Sequence, residues 1–238
     1  MVSKIMIEFI GDIIYRTFIE YDRWRLWLNG ARATFSIAFF ALLIGIAIGF
    51  IVALVRVTHS LSGKPNMLIR IANRILRTYV TIIRGVPVVV QVLVWAFFIL
   101  AAVRHGILIG SIAFGVNSGA YVSEVFRGGI LSVDKGQTEA GRSLGLGYPQ
   151  TMLRIILPQA IKNSLPALLN EFISLFKETS IAGMAAITDI THVGNIMRGL
   201  TFNQWPLLFL AAFYLIVVMI LEFFVGIVER RLRKSDQR

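Results

Sequence analysis

Two clusters in this sequence combine residue types that could do chemistry. The first is EAGRSLGLGYPQTMLRIILPQA, residues 139–160, where Glu139, Arg142 and Arg154 stand among glycines, prolines and amides. The second is Asn170, Glu171 and Ser174, in a long run that also holds Lys177 and Glu178. A carboxylate beside an amide, with a hydroxyl one helical turn on, can hold an ammonium or guanidinium. Its other use is structural, as partner to an Arg or Lys of a neighbouring element or across a dimer seam. Gln91 is polar inside an apolar run, and either lines a pathway or bonds an adjacent helix.

Several other chemistries are excluded. The chain has no cysteine and three scattered histidines, His59, His105 and His192, too few for a thiolate or histidine-rich metal site. No G-x-x-x-x-G-K-[ST] stretch is present to cradle ATP phosphates. Ser118 lies in an apolar run, but a nucleophilic serine needs a histidine at hydrogen-bond distance. His105 and His192 fall at the opposite side of the expected topology. A channel would need a filter-like segment or charged ring, and neither is visible.

The elements that must position these residues are membrane helices. The 238 residues are 56% hydrophobic and 16% charged, with a mean hydropathy of +0.74. An average soluble domain is about 45–50% apolar and about 25% charged. Crossing the hydrocarbon core takes about 20 mostly apolar residues. Runs of that kind cover roughly 33–55, 86–103, 107–122, 159–187 and 206–228. The fold class is therefore all-α: a polytopic helical membrane protein of about five spans. Gly45 and Gly49 form a small-xxx-small pair, which predicts close helix packing. With a span beginning near 159, Glu171 lies about 18 Å along it at about 1.5 Å per residue. That is near the middle of a core about 30 Å thick. A carboxylate there is costly and normally faces a cavity or a partner. Pro166 would bend the same helix.

The net charge of +11 borders the apolar runs, so it reads as membrane orientation, with no sign of nucleic-acid binding. Residues 59–84 hold Lys64, Arg70, Arg74, Arg77 and Arg84 without one acid, and the tail ERRLRKSDQR is also basic. Both are expected in the cytoplasm. With five spans the N-terminus then lies outside, the C-terminus inside, and residues 123–158 inside. No cleavable signal peptide is expected, because the first residues carry acids and lack a small-residue cleavage site. Residues 5–28 mix apolar and charged side chains and are expected as an amphipathic helix in the outer interface. The organisation is thus an outer interfacial segment over 1–30, a membrane domain over 31–230 with a cytoplasmic loop at 134–158, and a basic tail over 231–238.

Within that loop, Gly145 and Gly147 permit turns that other residues resist. Pro149 suits the first position of a new helix, following Tyr148. A short helix around 137–144, a glycine break and a second helix from about 149 are predicted. Such a helix, held at a fixed angle on the cytoplasmic side, is a docking element.

At this point a family resemblance is carried by the residues themselves. Glu139-Ala140-Gly141, then Gly145, then Ile155-x-Leu157-Pro158 resembles the E-A-A-x-x-x-G loop of ABC importer permeases, with Gly141 in place of Ala. RGVPVVVQ at 84–91, YVSEVFRGGILSVDKGQTEAGRSLG at 121–145 and LPQAIKNSLPALLNEFISLFKETS at 157–180 resemble type I permeases for polar amino acids. The likeness runs from Leu28 to the C-terminal YLIVVMILEFFVGIVERRL. Beyond Ser180 it departs from the pattern, with Asp189 where a Glu-Leu pair is usual.

The resemblance implies a permease subunit in the bacterial cytoplasmic (inner) membrane, itself no enzyme. It implies two ATP-binding cassette subunits carrying ATP and Mg, a second permease chain (the same or a sister), and an extracytoplasmic substrate-binding protein. This chain itself would hold no cofactor. Glu139, Ala140, Gly141, Arg142, Ser143, Leu144 and Gly145 would form the coupling element, with Arg142 alternatively a solvated or headgroup contact. Asn170, Glu171, Ser174 and Gln91 would line the substrate pathway. Glu171 favours a polar amino acid with a positive group; another small zwitterionic or cationic solute is the alternative.

Overall fold

The computed structural model describes residues 2–61 and 64–236, and among them every regular element is helical. Helix α1 (Val2–Ile14) continues through a wide π turn to a kink, where Tyr21 and Asp22 take left-handed backbone angles (φ 54° and 57°). Helix α2 (Trp24–Leu61) follows at once, so the first apolar run sits inside a rod that starts earlier than 33 and ends later than 55. Phe18 stacks on Trp27 and Phe209, whose ring centroids are 5.3 and 5.2 Å away, which ties the kink to the body.

Helix α5 (Gly106–Leu131) is the centre of the molecule, and its contact with α2 is made by small residues. Gly45 abuts Ser118, Gly49 abuts Val122, and from the other side Gly115 and Gly119 receive Ile44 and Ile48. A Cβ on Gly49 would lie 2.6 Å from Val122 Cγ1, and one on Gly115 2.7 Å from Ile44 Cβ. Without water to drive apolar surfaces together, close backbone approach is what makes such helices adhere. Ile37, Phe114 and Leu175 are completely enclosed where α2, α5 and α8 (Leu157–Glu178) meet. Phe176 of α8 rests on Phe35 and on Tyr214 of α10 (Trp205–Asp236), at 4.9 and 5.5 Å.

Two expectations about spans change. Residues 67–85, expected as part of a loop, form helix α3 (Met67–Gly85). Asn66 caps it, its side chain accepting from the Ile69 N–H at 2.8 Å. Arg70, Arg74, Arg77, Thr81 and Arg84 recur at helical spacing on one face, and that period was the signal for a helix. The run expected at 86–103 is helix α4 (Val88–Val94) extended by a π turn to Ile99, only about 18 Å long at about 1.5 Å per residue. It bends by 109° from α3, so the two together form a broken pair. By length and apolarity three helices qualify as spans, Trp24–Ser60, Gly106–Leu131 and Trp205–Leu232, or four with the bent pair. Helix α8 is long enough at 22 residues, but its polar and charged side chains keep it below that apolarity. The five expected runs thus correspond to three apolar spans, the bent pair and the more polar α8. Helix α9 (Ile190–Thr201) completes the set beside α10 and α2.

The seam makes a paired prediction. Gly49→Ala should destabilise by about 1–3 kcal/mol through overpacking, whereas Gly226→Ala, with nothing within 4 Å of its added methyl, should not. Melting temperatures of the two purified variants in the same detergent compare them directly.

Candidate functional site

The EAGRSLG stretch folds as helix α6 (Lys135–Ser143) and its stop. Asp134 starts the helix by accepting from the Gly136 N–H at 2.7 Å. At the other end Gly145 N–H donates to Arg142 O and Leu146 N–H to Gly141 O, at 3.0 and 3.1 Å. This paired closure needs a left-handed residue just past the helix, and Gly145 supplies it with φ 78°. Gly147 then opens helix α7 (Tyr148–Thr151), its N–H bonded to the Gln150 side chain at 3.2 Å. The predicted elbow, with helices at about 137–144 and from about 149, is thus present with boundaries shifted by one or two residues.

Gly141 is the buried residue of α6 and explains the departure from alanine. A Cβ there would lie 2.8 Å from Thr151 Cγ2 and 3.0 Å from its Oγ1. The glycine lets α6 press against a β-branched neighbour on the next helix. Glu139, Ala140, Arg142, Ser143 and Leu144 all face outward, and Leu144 is 80% exposed. Leu144, the residue that follows the locked polar helix, thus holds a large apolar side chain out from the body.

The chain from Tyr148 to Glu178 is one helical rod: α7, a π turn at Met152–Ile156, then α8. The π turn sits immediately before Pro158, which has no N–H to give. Ile156 and Ala160 pack on Val57 of α2 and Ile130 of α5, fixing the rod's lower part. Higher up, Ser118 Oγ of α5 donates to Glu171 Oε1 at 2.7 Å. Asn170 is exposed and donates to the Pro166 carbonyl at 3.1 Å. Ser174 is half-buried on the same helix. The rod therefore carries the elbow at one end and Glu171 about 30 Å further along, at about 1.5 Å per residue.

Gln91 stands apart from that group. It is buried, and its amide donates to the carbonyls of Ile83 and Val86 at 2.7 and 2.8 Å while its oxygen accepts from Asn117 at 3.2 Å. It closes the bend between α3 and α4, where broken helices leave carbonyls without intrahelical partners. Sequence reasoning missed Ser118 and Asn117 as partners. It also missed Glu124 of α5, held by Arg56 of α2 and by Arg127 at 2.8 Å. The Glu124–Arg127 spacing of three was a legible signal; Arg56 was not, being remote in sequence. Ser118 is engaged with Glu171, and His105 caps its own helix by accepting from the Leu108 N–H, so these two do not pair with each other. Asp189 is fully buried and caps α9, accepting from the Thr191 and His192 N–H groups at 3.1 and 2.8 Å. A helix cap accounts for an aspartate at that position.

Residues 45–234 match the family of binding-protein-dependent transport system inner membrane components. The chain belongs to this family. The putative glutamine transport system permease protein GlnP of Rickettsia typhi is 35% identical over 209 residues, 86% of this chain and 92% of that protein. The probable glutamine ABC transporter permease protein GlnM of Bacillus subtilis is 35% identical over 91% of this chain and 98% of its own length. The arginine transport system permease protein ArtQ of B. subtilis is 33% identical, covering 88% and 93%. The crystal structure of an amino acid ABC transporter with histidines matches with a TM-score of 0.77 and 34% identity, over 87% of this chain and 94% of that one. The inward-facing MetNI methionine ABC transporter shares the fold at a TM-score of 0.76 and 19% identity. The molecule is accordingly a multi-pass inner-membrane permease component of an ABC importer and not itself an enzyme.

The elbow contact is open to a double-variant test. Gly141→Ala should cost about 1–3 kcal/mol by overpacking against Thr151, and Gly141→Ala with Thr151→Ala should recover much of it. Thermal unfolding of the four variants gives the coupling. Separately, Gln91→Leu strands the carbonyls of the bend and should lower stability by about 1–3 kcal/mol, seen as a lower melting temperature and early proteolysis within residues 83–91.

Proposed function

We propose that this permease imports an amino acid, most simply a polar one, and that its motion is driven through the α6 elbow by separate ATP-binding subunits. The observation that carries the proposal is the single helical rod from Tyr148 to Glu178. Whatever moves the elbow moves the segment bearing Glu171, since Gly141 presses on Thr151 at the rod's first turn. Two ATP-binding subunits would each seat one elbow, on this chain and on a second permease chain, the same or a sister. ATP and Mg belong to those subunits, and this chain holds no cofactor. ATP must favour the outward-open arrangement over the inward one for its binding to drive the switch.

The basic residues of α3 and of the tail support a cytoplasmic elbow and C-terminus, with the N-terminal helix outside. A substrate-binding protein then delivers ligand to the outer face. Glu171, with the Ser118 hydroxyl on one oxygen, is the group proposed to meet an ammonium or guanidinium, and Ser174 extends the same face. Relatives named for glutamine and arginine support an amino acid as the cargo. Asn170, being exposed, reaches such a ligand only at a seam with the second permease. Gln91 supports the bend and has no spare donor for substrate.

Glu171→Gln should reduce uptake by about tenfold or more through loss of a charged hydrogen bond, with assembly and docking unchanged. Normal transport kinetics in that variant would remove the ligand role. A cysteine at Ser143 or Leu144 should crosslink to the ATP-binding subunit, and capture of no such subunit would overturn the coupling role.

A further inference from the structure

Helices α2, α3 and α5 border three adjoining open clefts of about 460, 320 and 540 Å³, all of them lined by Arg77. Their walls carry Arg56, Arg70, Arg74, Arg77, Arg84 and Arg127. Among the described residues that line them, Glu124 is the one carboxylate, and Arg56 and Arg127 already hold its two oxygens. Arg70 donates to the Pro65 carbonyl at 2.9 Å, and the Arg84 guanidinium lies 5.3 Å over the Tyr121 ring. Neither contact supplies negative charge. Like charges gathered along one open cleft repel one another, less so where water and salt screen them, and an anion between them removes that repulsion.

The rest of α3 says which anion. Beside the cationic stripe runs an apolar one, with Leu68 74% and Ile75 62% exposed. Arg70, Arg74, Arg77 and Arg84 are themselves exposed while Asn73 and Val80 face the body, so α3 turns both an apolar and a cationic stripe outward, as a helix at the membrane surface does. Guanidinium forks match phosphate oxygens two at a time. Basic clefts between helices on a cytoplasmic surface take up acidic lipid head groups. The geometry points to a site for the phosphate head group of an anionic phospholipid between α2, α3 and α5, its acyl chains lying along the apolar stripe of α3. Neither the elbow residues 139–145 nor Glu171 line the clefts.

The test uses the permease assembled with its ATP-binding subunits in nanodiscs of phosphatidylcholine containing a little photoreactive phosphatidylglycerol. Labelled peptides are mapped by mass spectrometry for the wild type, Arg74→Gln with Arg77→Gln, and Arg74→Lys with Arg77→Lys. Label should concentrate on α3 in the wild type and fall about tenfold or more in the glutamine pair. It should be largely retained by the lysine pair and be unchanged by millimolar inorganic phosphate in solution. Should the glutamine pair fail to assemble, Arg77→Gln alone gives the same comparison. Equal labelling of wild type and glutamine forms would overturn the site. Loss of label on adding inorganic phosphate would replace the lipid by a free anion. Absence of label from every form, as a second permease chain or an ATP-binding subunit seated there would cause, also overturns it.

Discussion

The glycine seam between α2 and α5 is the constraint on which the rest of this permease depends. Gly45, Gly49, Gly115 and Gly119 remove the side chains that would otherwise hold the two helices apart. Helix α5 can then sit in the middle and serve three neighbours at once. It presents Asn117 to Gln91, Ser118 to Glu171 and Glu124 to Arg56. Each pair joins a different element to the centre, so a displaced α5 would loosen the bend, the rod and the cationic cleft together. In a bilayer such pairs are worth having mainly because their absence would leave polar groups facing hydrocarbon.

The elbow and the rod show how a polar loop can transmit displacement to a buried segment. A helix alone would not suffice, because a freely swinging α6 would absorb any push. The closure around Gly145 fixes the direction in which the chain leaves α6, and the Gly141–Thr151 contact fixes the angle at which it returns. The same rod is anchored on Val57 and Ile130 through Ile156 and Ala160. The elbow contact at Thr151, the anchor on Val57 and Ile130 and the Ser118–Glu171 hydrogen bond thus lie in succession along one continuous helical segment packed on α5.

The elbow was legible because its determinants are local. A helix start at Asp134, a left-handed glycine at 145 and a proline at 149 each act within a few residues. The Gly45–Gly49 pair was legible as packing for the same reason. Helix α3 was misread as loop because its arginines drew attention to charge and away from their 3.6-residue period. The bend at the start of α4 was not legible, because hydropathy records greasiness and not the 109° break before it. The partners of Gln91, Glu171 and Glu124 were not legible, since each lies 26, 53 or 68 residues away. Only the folded seam brings them together. The greasy composition made the class plain, while α8, the helix that carries Glu171, is the one whose polarity lowers its resemblance to a span.

The two carboxylates that meet α5 illustrate how partner choice separates support from function. Glu124 has both oxygens taken by arginines, an arrangement that is fully compensated and rigid. Glu171 accepts from a neutral hydroxyl, and among the described residues no cation pairs with it. A half-buried carboxylate given only a serine is not neutralised, so an arriving cation would gain what the protein has left unmade. The neutral partner of Glu171 fixes the side chain in place without supplying a compensating charge, so the two carboxylates that meet α5 differ in how far the fold itself satisfies them.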